Sequence, residues 1–161
     1  MASPAYLWIT DDHGNPIHGD SQVKGRERSI EVFAFDYGVL MPVDKFTGTT
    51  TGTRQHETAS FTKAFCPASP VLFDAACRGK NLRQVIIKWY QIDANGREQV
   101  YFTHQLDDVK VVSFRQKLPH TKDASSDLHV HEDFVELRFG KITLKHHQGN
   151  IQASDAWNER S

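Results

Sequence analysis

The chain is poor in cysteine, in long apolar runs and in net charge. It has two cysteines in 161 residues and a formal net charge of −1. So small a charge supplies no long-range attraction to nucleic acid or to an anionic membrane surface. No apolar run approaches the roughly 20 residues that a membrane-spanning helix requires. We therefore expect a protein that binds neither nucleic acid nor membrane.

The sequence also lacks a secretory signal and a redox motif. Its start, MASPAYLWIT, has no basic region followed by a long apolar run, so we expect synthesis in a cytoplasm without the general secretory route. Cys66 and Cys77 do not form a Cys-x-x-Cys pair, and a reducing compartment disfavours a disulfide between them. We predict two free thiols.

The hydrophobic pattern repeats mostly every two residues, which predicts β-strands. Val85, Ile87 and Trp89 alternate along one strand of the clearest hairpin. Asn95-Gly96 then supplies the turn, because these residues tolerate the positive φ that tight hairpin turns need. Similar patterns recur about eight times along the chain. They predict a mainly β domain, either a barrel or a sandwich.

One segment, about 69–79, predicts an α-helix. Ser69 offers a side-chain oxygen at the N-cap, Pro70 is tolerated at the first helical position, and Gly79 supplies the stop. The length and composition are those of one soluble domain, and we expect it to span residues 1–161.

Three stretches depart from a simple alternation. Segment 30–37 has apolar residues on both faces, which predicts a strand covered on two sides or one that contacts another chain. Residues 42–53, PVDKFTGTTTGT, show no periodicity and predict a long loop, and such loops are usually functional or mobile. A change of parity at Gly140-Lys141 predicts a β-bulge or a tight bend.

The segment most suggestive of chemistry is HVHEDFVELRFGKITLKHH, residues 129–147. In a strand His129 and His131 lie on one face, and Glu136 follows at the spacing of the first cupin metal motif. However, Asp123 stands where that motif has glycine, and the second cupin motif is absent. Because two ligands without a third make a weak site, we predict a polar strand edge. A cupin-like metal-dependent enzyme remains the alternative.

Other functional motifs are incomplete or absent. The Gly48–Gly52 segment lacks the Gly-Lys-Ser/Thr ending of a phosphate-binding loop, and no G-x-S-x-G nucleophile elbow occurs. We therefore predict no catalytic residue, no cofactor and no bound metal. An exposed sheet edge with aromatics such as Trp89 leaves a second alternative, a small module that binds a peptide or a carbohydrate.

Several phrases of the sequence resemble the Hcp family, the haemolysin-coregulated tube proteins of bacterial type VI secretion systems. The resemblance runs nearly end to end, and departures are Cys66-Pro67 before the helix and the Phe-rich VFAFDYG strand. The phrases are YLWITDDHGNPIHG, RSIEVFAFDYG, TGTRQHE, FTKAF, ASPVLFDA, IKWYQIDANGREQVYF, HVHEDFVELRFGKIT and GNIQASDAWNER.

The resemblance implies a compact β-barrel of two packed antiparallel sheets with the helix at its side, and no catalysis. It implies six-membered rings that stack into the inner tube of a contractile injection machine. Partners would be further copies of the chain, a VgrG spike, sheath and baseplate components, and small effectors in the lumen. Secretion would then reach the medium or a target cell without a signal peptide. Because the chain ends at Ser161, directly after WNER, we expect a plain tube subunit without a C-terminal toxin domain.

The 42–53 loop is similar to the long loop of that family, and we predict that it forms the contact between stacked rings or between subunits. The predicted contact residues are Val43, Asp44, Lys45, Phe46 and Thr47. Val43 and Phe46 are apolar, which a solvated loop does not require; the alternative is a loop whose hydrophobe folds back on the barrel. The nine histidines suggest a further hypothesis, that assembly is sensitive to acidity.

Overall fold

The computed structural model describes residues 3–126 and 130–157. Within them lie twelve strands, one α-helix and one short 3-10 turn at Ala124–Ser126. The helix, α1, spans Ala68–Arg78. The strands are β1 (Ala5–Asp11), β2 (Pro16–Ile17), β3 (Ile30–Val32), β4 (Ala34–Asp36), β5 (Val39–Leu40), β6 (Gln55–His56), β7 (Ala59–Ala64), β8 (Asn81–Ile92), β9 (Glu98–Lys117), β10 (Glu132–Arg138), β11 (Lys141–His146) and β12 (Ile151–Ala156).

Ten of these strands form one antiparallel sheet around the 20-residue strand β9. The main order is β2-β1-β8-β9-β10-β7-β4, and β5 pairs with β6 in a separate two-stranded sheet. The first half of β9 pairs with β11 and the second half with β10, so both strands share one edge of β9. β12 then pairs with β11. The predicted hairpin between β8 and β9 is confirmed, with Gly96 at a φ of 75°.

The segment from β3 to β4 joins the β1 side of this sheet to its β7 side. β3 pairs with β1, whereas β4 pairs with β7. Between them the amide of Phe33 donates to the carbonyl of Thr62 at 2.8 Å. The mainly β class with two antiparallel sheets and one side helix is therefore confirmed. The sheets are very unequal in size, and the larger one is not closed into a barrel by an unbroken ladder.

The core lies on the inner side of this curled sheet, where alternate residues of each strand point. Val85, Ile87 and Leu106 are fully buried there. The helix packs against β9 and adds Leu72 and Ala75, which are also buried. Each large aliphatic side chain that leaves water in this way contributes about 1.5–3 kcal/mol, so the period-two pattern is the main source of stability.

The helix begins one residue earlier than predicted, and the assignment of Ser69 as its N-cap was wrong. Pro67 occupies the cap position with a φ of −57° and no side-chain hydrogen bond closes that end. The hydroxyl of Ser69 instead accepts a hydrogen bond from the amide of Cys66 at 3.1 Å and faces the sheet. The predicted stop is confirmed, because Gly79 adopts the left-handed conformation at a φ of 62°.

Ser69 belongs to a buried polar cluster that joins β7, β10 and the start of α1. Lys63 and Asp133 lie directly opposite each other on the two strands, and their fully buried side chains form an ion pair at 2.5 Å. The ammonium of Lys63 also lies 2.8 Å from the Ser69 hydroxyl, and Gln116 donates to the second carboxylate oxygen at 3.0 Å. Burial of two charges is tolerated only with such complete hydrogen bonding.

The predicted bend at Gly140-Lys141 is confirmed. β10 ends at Arg138 and β11 begins at Lys141, and the amide of Gly140 donates to the carbonyl of Asp107 at 2.9 Å. The left-handed residue is Asp108 on β9, at a φ of 53°. A Cβ on Gly140 would approach the Cβ of Asp108 to 3.2 Å, so close packing favours glycine.

His104 lies on the inner side of β9 inside a cluster of aromatic rings. The indole N–H of Trp89 donates to its Nδ1 at 2.8 Å, and the rings of Phe35 and Phe102 lie 5.2 and 5.1 Å away. Burial lowers the pKa of His104 to about 4. Its imidazole is therefore neutral near neutral pH and accepts from the indole.

His104 should make the folded state lose stability in acid. The unfolded chain binds a proton at this residue near pH 6.5, whereas the folded chain does so only near pH 4. The contribution is therefore complete above about pH 6.5 and is lost as pH falls toward 4. The free energy of unfolding of His104→Gln, measured with urea, should fall less between pH 6.5 and pH 4 than that of the wild type. An equal fall in the two proteins would contradict this role of His104.

Breaking the buried ion pair should be costly. Lys63→Met leaves the Asp133 carboxylate buried without its counter-ion, and we expect a loss of about 3–5 kcal/mol in the free energy of unfolding. The matched control is Lys80→Met, which removes a surface ion pair with Asp74 and should cost far less, because solvent screens an exposed pair. Denaturant unfolding at one protein concentration measures both. Similar losses for the two variants would refute the importance of the buried pair.

Candidate functional site

Residues 39–56 form a projecting β-hairpin, here termed the arm. At its base β5 pairs with β6, and further out Val43 forms an isolated bridge with Thr50. The predicted 42–53 loop is therefore more regular than its sequence indicated. Its apolar residues lie almost all on the outgoing strand, while the returning strand carries Thr and Gly, so no period-two pattern was visible.

Asp44 organises the tip of the arm. Its Oδ1 accepts hydrogen bonds from the amides of Phe46 at 2.7 Å and Thr47 at 3.2 Å, as Asp side chains commonly do in turns. Gly48 adopts a φ of 72° and donates its amide to the carbonyl of Asp44 at 2.9 Å. The hydroxyls of Thr47 and Thr49 are hydrogen-bonded to each other. The tip is thus an ordered turn that presents Phe46.

The arm carries a run of exposed apolar side chains. Phe46 is 98% exposed, and the side chains of Val39, Leu40, Met41 and Val43 are also exposed. The five predicted contact residues, Val43 to Thr47, all lie at this tip or directly beside it. Phe46 does not fold back on the sheet. Contiguous exposed apolar surface of this kind marks an interaction site.

Four side chains, here termed the clamp, fasten the base of the arm to β12. Arg54 donates to both carboxylate oxygens of Asp155, at 2.7 and 2.9 Å. His56 Nε2 lies 2.7 Å from the same carboxylate, and its Nδ1 lies 2.7 Å from the hydroxyl of Tyr37. Arg54 also donates to the carbonyl of Ala156 at 2.6 Å. The clamp was not predicted from the sequence, because Arg54 and Asp155 lie 101 positions apart.

The pKa shifts of Asp155 and Tyr37 indicate that the clamp has a structural role. The Arg54 guanidinium, and after it the His56 hydrogen bond, lower the pKa of Asp155 to about 2. Burial raises the pKa of Tyr37, and the charge of Asp155 adds to this effect. A nucleophilic or basic tyrosine would need a lowered pKa. The Tyr-His-Asp chain therefore holds a neutral phenol in place and does not activate it.

An open groove with a volume of about 400 Å³, here termed the arm-base groove, lies beside the clamp. One wall is the arm, with Val39 and Met41. The floor is the inner face of β11 and β12, with Ile142, Leu144 and Ala153. Most of the lining is apolar. The groove is open because the arm covers only part of that inner face.

β12 forms an exposed edge of the large sheet. Within the described residues it pairs with β11 alone. Its sequence, IQASDA, contains no proline and no lysine, and its one charge, on Asp155, is held by Arg54 and His56. Native proteins usually protect an edge strand with such residues or with a bulge. An edge without these features is suited to pairing with another chain.

The predicted histidine cluster does not form a metal centre in the described part of the chain. His129 lies outside the described residues. His131 is exposed before β10 and contacts the ring of Phe65, with 5.5 Å between ring centroids. Glu136 lies within β10 at a position that alternates with the buried Val135. No group of three or more His, Cys, Asp or Glu among residues 3–126 and 130–157 is placed to hold a metal ion.

Trp89, the aromatic of the binding-module alternative, is partly buried against the core and is hydrogen-bonded to His104. It also lines an open recess of about 380 Å³ together with Phe33 and Phe35. No helix in the described residues is long and apolar enough to cross a bilayer. Fold and surface together define a mainly β protein with a projecting apolar hairpin and an unprotected sheet edge.

Comparison with known proteins agrees with that description. The profile of the family described as "Type VI secretion system effector, Hcp" matches residues 6–146. The "Major exported protein" of Pseudomonas aeruginosa is 31% identical over 166 residues, which cover 98% of this chain and 96% of that protein.

Solved structures give the same result. A variant of the Hcp1 protein from the E. coli EAEC 042 pathovar is 42% identical with a TM-score of 0.88, covering 97% of this chain and 99% of that one. Secreted protein Hcp3 from Pseudomonas aeruginosa is 27% identical with a TM-score of 0.78, covering 98% and 100%. The fold and these matches define a type VI secretion tube protein. The chain belongs to the Hcp family, as the sequence resemblance predicted.

The clamp should make stability sensitive to strong acid. The pKa of Asp155 is about 2 in the folded chain and 3.8 ordinarily, so its contribution is present above pH 3.8 and is lost as pH falls toward 2. Asp155→Asn should destabilise by about 1 kcal/mol near neutral pH, since solvent screens this partly exposed pair. The gap to wild type should close in acid, measured by thermal unfolding.

Ser154→Ala is the matched control for Asp155→Asn, because it changes a neighbouring uncharged side chain on the same strand. Its unfolding profile should run parallel to that of the wild type at every pH. A gap between Asp155→Asn and wild type that stays constant down to the acid limit would exclude the carboxylate as the cause.

Proposed function

We propose that this chain is the structural subunit of the type VI secretion inner tube, a single β domain that forms six-membered rings which stack. Contraction of a surrounding sheath would expel the tube toward the medium or a target cell. The observation that carries the proposal is the ordered turn that holds Phe46 98% exposed. A monomer in solution gains nothing from such a side chain, whereas a self-assembling protein buries it against another copy.

The contact residues in this proposal are Val43, Asp44, Lys45, Phe46 and Thr47. Phe46 at the tip of the arm is 98% exposed on its own subunit, so it is accessible to another one. A contact between two different surfaces of identical chains repeats without limit when its rotation does not close, and this produces stacks. Burial of Phe46 at each contact would contribute about 1.5–3 kcal/mol.

The remaining partners follow from the role of a tube. A tube must begin on a spike of the VgrG kind and on baseplate components, and it must fit within a sheath. Its lumen would hold small effectors. Membership of the Hcp family and the likeness to a protein named for its export support this assignment.

We also propose that the chain has no catalytic activity of its own. The raised pKa of Tyr37 opposes a nucleophilic role for the clamp. His131 precedes β10 and packs on the ring of Phe65, with 5.5 Å between ring centroids, whereas Glu136 lies within β10. These observations support a structural role over the cupin-like alternative.

Phe46→Asp should reduce stacking while leaving the fold intact. A charge at the tip has to be desolvated on contact, and the apolar burial is lost, so the concentration needed for stacking should rise by about tenfold or more. Phe46→Leu, which keeps an apolar side chain, is the matched control and should stack nearly as the wild type does. Sedimentation velocity and electron micrographs of stacked rings give the readout. Unchanged stacking by Phe46→Asp would refute the role of the arm.

A further inference from the structure

We propose that the arm-base groove is the receptor for the arm tip of a second copy of this chain, with Phe46 as the inserted side chain. The inference rests on the proposed function, which assigns the arm to self-contact, and adds the surface that accepts it. It therefore concerns the acceptor residues Ile142, Leu144 and Ala153 on β11 and β12.

The size and lining of the groove suit an aromatic ring. Its volume of about 400 Å³ falls within the roughly 300–1,000 Å³ of pockets that hold compact organic groups. Ile142 and Leu144 form an apolar floor, and Val39 and Met41 form a wall. An aromatic side chain buries about 150–250 Å² when it is enclosed. Insertion would remove the exposed side chains of Val39, Met41 and Ala153 from water, whereas Ile142 is already buried.

The charged groups beside the groove do not oppose an apolar guest. Arg54 and Asp155 are paired with each other in two hydrogen bonds, and the remaining polar atoms of the clamp are likewise engaged. An inserted ring therefore leaves no charged group without its hydrogen-bond partner. The groove also runs along β12, whose outer edge is unpaired within the described residues. An incoming hairpin would gain backbone hydrogen bonds at that edge as well as apolar contact.

The guest cannot be the arm of the same subunit. The groove lies at the base of the arm, between β5, β6 and β12, whereas Phe46 lies at the tip. About seven residues of extended strand, at roughly 3.3 Å each, separate the two. The bridge between Val43 and Thr50 and the pairing of β5 with β6 keep the hairpin from doubling back.

A second copy is the partner that these surfaces fit best. In the described residues this apolar projection and this apolar recess lie at separate places, and the arm of a subunit does not fill its own groove. Two such complementary surfaces on one chain generate a head-to-tail contact that repeats from copy to copy. The proposed function, a tube assembled from copies of this chain, requires a contact of this kind.

Cysteine cross-linking tests the contact directly. Thr47→Cys and Ala153→Cys, combined in a Cys66→Ser/Cys77→Ser background, place one thiol beside Phe46 and one in the groove while Phe46 itself is kept. A short bismaleimide should then produce a ladder of covalently linked copies on a denaturing gel. Thr47→Cys with Val71→Cys, an exposed position on α1, is the matched control and should cross-link at least about tenfold less. Equal yields for the two pairs would overturn the proposal.

Filling the groove provides a second test. Ala153→Trp occupies the space meant for Phe46 and should raise the concentration needed for stacking by about tenfold, as Phe46→Asp does. Ala124→Trp, at an exposed position of the 3-10 turn, is the control and should leave stacking unchanged. The cross-linking pair still decides the question if the bulky variant folds poorly, since Thr47 and Ala153 are both exposed.

The outcomes separate this inference from the function on which it rests. If Phe46→Asp prevents stacking but Ala153→Trp does not, and no 47–153 cross-link forms, the arm docks on another surface and only the acceptor is wrong. If Phe46→Asp leaves stacking unchanged, the proposed function of the arm fails and the inference fails with it. Loss of stacking in both variants, together with the cross-link, supports both.

Discussion

The ion pair between Arg54 and Asp155 is the interaction on which the exposed surface of this protein depends. It fastens the base of the arm to β12 with two short hydrogen bonds, and His56 and Tyr37 extend the connection. The arm is a hairpin through its own pairing of β5 with β6 and the Val43–Thr50 bridge, and this ion pair joins its base to β12. A groove remains open between arm and sheet beside that connection.

These features share one physical consequence, which is that the monomer leaves apolar surface and a strand edge uncovered. Soluble proteins that act alone rarely tolerate either, because both promote association. The near-neutral charge of −1 acts in the same direction, since it offers little repulsion between copies. The buried Lys63–Asp133 pair lies away from this surface, where it fixes the helix against β7 and β10.

Local features of the fold could be predicted from the sequence, and features that join distant segments could not. The turn at Asn95-Gly96 and the helix stop at Gly79 are set by neighbouring residues, and both were correct. The N-cap assignment of Ser69 failed because its hydroxyl binds Asp133, 64 positions away. The clamp has no signal in residue spacing for the same reason. The resemblance to the Hcp family supplied the tube function, and the comparisons confirm membership of that family.

The central claim is that this chain exists to associate with identical copies around an open axis. Single-particle electron microscopy of the purified wild-type protein tests it most directly, because a ring is visible whichever contacts hold its subunits together. The account predicts class averages that show rings of six subunits with a central hole. Compact single subunits at every concentration would contradict it.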